Sequence, residues 1–197
     1  MGITEILGIA GSVSLLSGWR MYLCIFATGL AMRFGAWPLP EHLQALQVLA
    51  NPIVIGLSGF AASVEFLADK VPWIDSAWDM VHTAIRPIGG AVLALALADP
   101  SDPTTQVIAF ILGGGASLLT HGAKAGTRAA VNTSPEPFTN IALSTTEDVA
   151  SAGLLWGVYA YPQIAAGVAV FILAAAVGLL LAARAVIRKL FGRAEPG

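Results

Sequence analysis

The chain has 197 residues, 56% hydrophobic and 11% charged, with a net charge of −2 and a mean hydropathy of +0.77. Soluble domains carry about a quarter charged residues, and one of this size cannot hide so much apolar surface. The composition therefore excludes a soluble fold, leaves no room for a second, soluble domain, and lacks the basic stripe that nucleic-acid binding needs.

In chain order, Met1 to Ser17 holds no lysine or arginine. It lacks the basic region of a secretory signal and reads as the start of a retained span. Helix one is predicted over residues 6–33 and ends before Trp37-Pro38-Leu39-Pro40, because proline lacks a donor and disfavours helix before it. It contains the single cysteine, Cys24, which rules out an intramolecular disulfide and reads as a small buried hydrophobe. Helix two is predicted over 43–70, with Pro52 kinking or breaking it. Residues 72–86 alternate tryptophan with acid and read as an amphipathic interfacial segment. Helix three, over 87–98, is short for a span, though it could extend back through Val81. A turn at Asp99–Pro103 precedes helix four over 104–131. Helix five covers 140–160, and Tyr159-Ala160-Tyr161-Pro162 separates it from helix six over 163–187. The expected fold is an all-α, polytopic membrane bundle of about six transmembrane helices in one domain, 1–197.

Basic residues near span ends set orientation. Arg184, Arg188, Lys189 and Arg193 place the tail, residues 191–197, in the cytoplasm. Six spans then put the N-terminus there too. Lys70, Arg86 and Arg128 fall on the same side, and only Arg33 dissents.

Two patterns recur in the same order. Ser14-Leu15-Leu16-Ser17-Gly18 is echoed by Ser117-Leu118-Leu119-Thr120-His121-Gly122, and Pro52 with Glu65 by Pro137 with Glu147. The chain thus reads as three helices twice, over about residues 5–99 and 104–190. Three is odd, so the second half enters the membrane in the opposite sense. That is the inverted repeat of many secondary transporters.

Charges at bilayer depth persist where they face a bundle interior or a wet cavity. His121, Lys124 and Arg128 share one helical face, a surface for anions or counter-charges, while the Gly122/Gly126 pair allows close helix approach. Glu147 and Asp148, flanked by Ser144 and Ser151, are adjacent acids below headgroup level. They could bind a cation, carry a proton or pair with Lys124. Glu65 and Asp69 share a face, with Asp69 and Lys70 also readable as interface residues, and Arg20 in mid-helix should meet one of these carboxylates. Asn132, Ser134 and Asn140 suit a helix break that presents amides to a solute, or an ordinary cap. Asp75, Asp79, His82 and Arg86 line one face, but arginine argues against a metal there, and a solvated face is expected.

The chain has no HExxH, P-loop or GxSxG, and Gly113-Gly114-Gly115 follows no strand. Gly18-Trp19-Arg20, Glu65-Phe66-Leu67-Ala68-Asp69-Lys70-Val71-Pro72, His121 through Arg128, and Ser144-Thr145-Thr146-Glu147-Asp148 resemble a family of small bacterial membrane proteins known as domain of unknown function 4126. The resemblance covers nearly the whole chain and implies a bacterial inner membrane, with no activity attached.

These features together point to a small secondary transporter or channel for an ion or small polar or anionic solute, coupled to protons or cations. Its binding residues would be Arg20, Glu65, Asp69, His121, Lys124, Arg128, Asn140, Ser144, Glu147 and Asp148. No catalytic residue and no cofactor is expected, and the metal question stays open. The partners are the lipid bilayer, the solute and a second copy in a homodimer. The alternatives are a flippase for a phosphate-bearing lipid, a membrane enzyme on a lipid substrate, and a non-catalytic assembly subunit.

Overall fold

The computed structural model describes residues 3–34, 47–97, 101–131 and 137–191. The predicted turn at Trp37–Pro40, residues 99–100 and 132–136, and the tail from 192 lie outside them. Six α-helices and no strand occur among the described residues: α1 Ile3–Arg33, α2 Pro52–Ala68, α3 Pro72–Leu97, α4 Pro103–Val131, α5 Pro137–Ala160 and α6 Ala165–Phe191.

Three of them, over Gly8–Arg33, Pro103–Val131 and Ala165–Lys189, are long and apolar enough to cross a membrane. The α2 helix is apolar but has only 17 residues, and α3 and α5 carry ionisable residues along their length. The bundle is polar inside and apolar outside. Ser12, Ser14, Ser17, Ser117, Thr120 and Ser144 are buried, while Ile53, Leu57, Phe60, Ile111, Phe171 and Leu181 are exposed. Water would reject that surface and lipid accepts it, so the molecule has the make-up of a membrane protein.

Pro52 begins α2 rather than kinking a longer helix. Asn51 caps it, its Oδ1 accepting from the Ile53 amide at 2.8 Å, and a proline in the first turn costs no hydrogen bond. Residues 72–97 form one continuous helix across Pro87, so the predicted interfacial segment and helix three are a single element. The predicted break after Ala160 is present, followed by a 3-10 turn at Pro162–Ile164.

The α3 helix lies antiparallel to both α1 and α4. Against α1, Ser14 meets Gly90, Gly18 meets Arg86 and Tyr22 meets His82. Against α4, Ser117 meets Arg86, His121 meets Thr83 and Lys124 faces Asp79. Glycine sets these crossings. A Cβ on Gly18 would strike the Ser117 carbonyl and Thr120, one on Gly90 would strike Ser117 and the Gly113 carbonyl, and one on Gly113 would strike Ala94. Hydroxyls then reach across to backbone, as when Thr120 Oγ1 donates to the Leu15 carbonyl at 2.7 Å. The predicted Gly122/Gly126 pair is not such a crossing, since a Cβ there meets only Leu180 at 3.9 Å and Ala183 at 3.5 Å.

Gly18→Ala and Gly90→Ala should each cost about 1–3 kcal/mol through overpacking, read as a lower melting temperature in detergent. Gly153→Ala meets nothing within 4 Å and should instead stabilise by about 0.5–1 kcal/mol through helix propensity. Equal effects at the buried and open positions would refute the assignment of the crossings.

Candidate functional site

The site begins where α1 stops being helical. Arg20 adopts φ −141° and ψ 65° inside α1, which interrupts the backbone ladder in mid-helix. The Gly18 carbonyl beside the break accepts from Arg86 Nη1 at 3.1 Å. Arg20 itself is buried and pairs with Asp69 through Nη1. Its Nη2 pairs with Asp148 at 2.7 Å, lies 3.7 Å from Glu147, and donates to the Ser144 carbonyl at 3.4 Å.

Asp69 follows the last residue of α2 and is fully buried. Its carboxylate also takes Lys124 at 3.1 and 3.3 Å and lies 3.8 Å from Arg128. Its backbone carbonyl accepts from Asn140 Nδ2 at 3.0 Å and Arg128 Nη1 at 3.3 Å. Arg128 also donates to Asn140 Oδ1 at 2.6 Å and pairs with Glu147 at 2.7 Å. Arg20 and Arg128 thus both bridge from deep Asp69 to the outer acids.

The outer end is the accessible one. The side chains of Glu147, Asp148 and Lys70 are 16%, 20% and 20% exposed, against 0–3% for Asp69, Lys124, Arg128 and Arg20. Lys70 pairs with Asp148 at 3.1 Å, bonds Ser144 Oγ, and lies over the Phe66 ring at 4.0 Å.

A second branch runs along α3. Arg86 is fully buried, pairs with Glu65 at 2.6 Å and lies 3.3 Å from Asp79, which lies 3.7 Å from Lys124. Arg86 Nη1 is 2.8 Å from His121 Nδ1. A guanidinium only donates, so this nitrogen accepts, and His121 Nε2–H donates to Thr83 Oγ1 at 3.0 Å. That hydroxyl in turn donates a hydrogen bond to the Asp79 backbone carbonyl at 2.9 Å. His121 is therefore a neutral link. His82 Nδ1–H donates to the Trp78 carbonyl at 2.7 Å, and its Nε2 lies 3.0 Å from the Tyr22 hydroxyl, which can donate or accept.

The structure brings all ten sequence-predicted site residues into one connected cluster, with corrections to their roles. His121 does not extend a cationic face. Lys124 pairs with Asp69 and Asp79, whereas Glu147 and Asp148 take Arg20, Arg128 and Lys70. Asn140 serves as a buried bridge inside α5, and Asn132 and Ser134 lie outside the described residues. The expected solvated face of α3 is wrong: Asp75, Asp79, His82 and Arg86 are all buried. Their helical spacing was the signal, and it matches that of the Lys124 face. The burial of Arg86 and Arg128 also removes them as markers of membrane orientation. Among the described residues, no group of three or more metal-ligating side chains could hold a metal ion.

An all-α bundle with an apolar exterior and an ion-paired interior defines a helical membrane protein built around a buried polar centre. The chain belongs to the family described as "Domain of unknown function (DUF4126)", which matches residues 7–182. No curated relative and no solved structure matches it.

Removing one partner from a buried ion network leaves the others uncompensated. Asp69→Asn should therefore cost about 3–5 kcal/mol, whereas Lys70→Met, at the accessible end, should cost less than about 1 kcal/mol. Thermal melts of the two variants side by side test this, and a harmless Asp69→Asn would remove Asp69 from the centre of the network.

Proposed function

We propose that this protein is a proton- or cation-coupled carrier for a small polar solute. The observation that supports it most is a charge imbalance. Glu65, Asp69, Asp75, Asp79, Glu147 and Asp148 supply six carboxylates, and Arg20, Lys70, Arg86, Lys124 and Arg128 supply five cations. His121 is neutral by its hydrogen bond from Arg86, and His82 is one place where a proton from solution can reside. Low-dielectric surroundings do not tolerate a surplus charge, so the sixth positive charge is a proton or a cation from solution.

The bridging arginines supply a coupling route. A cation arriving at Glu147 and Asp148 competes with Arg20 and Arg128 for those acids. The arginines remain held by Asp69, and their freed N–H groups can then take an anionic group on the same solute. Solutes that carry both an ammonium and a carboxylate or phosphate suit such a site. Two partner arrangements of one network are what a ligand needs in order to shift a conformational equilibrium.

The same reading includes finer architecture: a duplicated three-helix unit and an inner-membrane location. Support for the duplication comes from its recurring segments meeting each other, with Ser17 Oγ 3.2 Å from Ser117 Oγ. A Cβ added to Gly11 would lie 3.4 Å from Ala169 of α6, and one added to Gly114, at the offset that aligns Ser14 with Ser117, would lie 3.4 Å from Ala91 of α3. Inversion of the second half is a separate matter. Because α3 is antiparallel to both α1 and α4, those two share a sense where they flank it, which favours a first half without three full crossings. Cysteine labelling from each side decides: both termini on one side supports six crossings, and termini on opposite sides supports an odd number.

In proteoliposomes with an internal pH dye, a zwitterionic solute should drive proton movement. Glu147→Gln should reduce it about tenfold or more at an unchanged melting temperature. Variants of Glu147 and Asp148 that lose only thermal stability would overturn the carrier reading in favour of an assembly subunit whose charges merely hold helices together.

A further inference from the structure

The charged cluster continues into an apolar groove. Between the second half of α1 and α5 lies a cavity of about 430 Å³, lined by Leu23, Ala27 and Ala31 on one side and Ala152, Trp156 and Ala160 on the other. Leu155 and Tyr159 complete its lining on α5; Ala152, Trp156 and Ala160 recur every fourth position, and that stripe reaches Asp148 one turn earlier. On α1, Arg20 precedes Leu23. The Arg20–Asp148 pair, at 2.7 Å, therefore stands about one turn beyond the groove lining. Leu155 in its lining is buried and Trp156 is 65% exposed, and its α5 side runs on the order of 12 Å.

We propose that the network takes the head of a single-chain amphiphile, an amine or quaternary ammonium, whose hydrocarbon tail lies in this α1–α5 groove. This deepens the carrier reading above and rests on it. Geometry decides the sign of the head. Both ion pairs of Glu147 run through Oε2, and no described residue meets its Oε1. Asp148 is held by Arg20 and Lys70, and each has somewhere else to go. Arg20 keeps Asp69, and Lys70 keeps Ser144 and the Phe66 face. An incoming cation gains two carboxylates and strands no positive group. An incoming anion would have to take Arg20 and Lys70 from Asp148, whose described partners are only those two. The tail is held by burial of methylenes, which strengthens with each one added.

The test uses the full chain in phosphatidylcholine–phosphatidylglycerol nanodiscs, with empty discs subtracted, and compares dodecyltrimethylammonium with tetramethylammonium and dodecyl phosphate. Dodecyltrimethylammonium should bind about tenfold or more tighter than either comparator, an increment that roughly two buried methylenes would supply, and should release protons as it binds. Ala152→Phe, which fills the groove, should remove the chain-length gain, whereas Gly153→Phe, on an open face, should keep it. Equal binding of dodecyl phosphate, or a chain-length gain that survives Ala152→Phe, would overturn the proposal and leave the groove a crevice for bilayer lipid. The chain-length series on the unaltered protein stands as a test even where a variant fails to fold. Proton flux driven by a small zwitterion without any effect of dodecyltrimethylammonium would sink this inference alone, and loss of both responses would sink the carrier reading as well.

Discussion

The Asp69 carboxylate, buried among Arg20, Lys124 and Arg128, is the interaction on which the rest of the molecule depends. A bare carboxylate in a low-dielectric interior costs several kcal/mol or more, so counter-charges must converge on it from separate helices. That requirement accounts for the chain's departures from regularity. The α1 helix interrupts itself at Arg20, which reaches Asp69 with one nitrogen and Asp148 with the other. Asn140 is turned inward to hold the Asp69 carbonyl and orient Arg128. The glycine crossings at Gly18, Gly90 and Gly113 bring backbones close enough for the long cationic side chains to meet. Each feature alone weakens a helix, and together they let a polar centre exist inside an apolar shell.

Much of this centre was legible because membrane-depth charge has few explanations. Arg20, Glu65, Lys124, Glu147 and Asp148 stand inside apolar runs, and nothing but a partner or a ligand permits that. The helical face shared by His121, Lys124 and Arg128 followed from spacing alone. Asp75, Asp79, His82 and Arg86 misled because Trp73 and Trp78 alternate with the acids, a pattern that also marks helices lying at the headgroups. Only tertiary packing, with α4 laid antiparallel along α3, shows that this face is inside. The break at Arg20 had no sequence mark at all. Neither proline nor a glycine pair stands there, and the interruption is imposed by partners that lie far along the chain. The protonation of His121 was likewise invisible, because it is fixed by which neighbour can only donate.

The network is graded as well as connected. Its deep half is made of pairs among buried groups, while Glu147, Asp148 and Lys70 keep contact with the exterior. Stability and responsiveness are thereby separated in space. Arg20 and Arg128 belong to both halves and join the rim to the centre; in the carrier reading the outer acids are the groups that change partners.

The α2 helix has 17 residues, about 25 Å at 1.5 Å per residue, against a hydrocarbon slab of about 30 Å. Its exposed apolar side, with Ile53, Leu57 and Phe60, is thus shorter than an acyl layer. A helix of that length set across a bilayer would require the bilayer to thin locally or its polar ends to sink below the headgroups. In such a placement the acid that ends α2, Asp69, would lie inside the slab, and membrane thickness would be a variable that the buried charges feel.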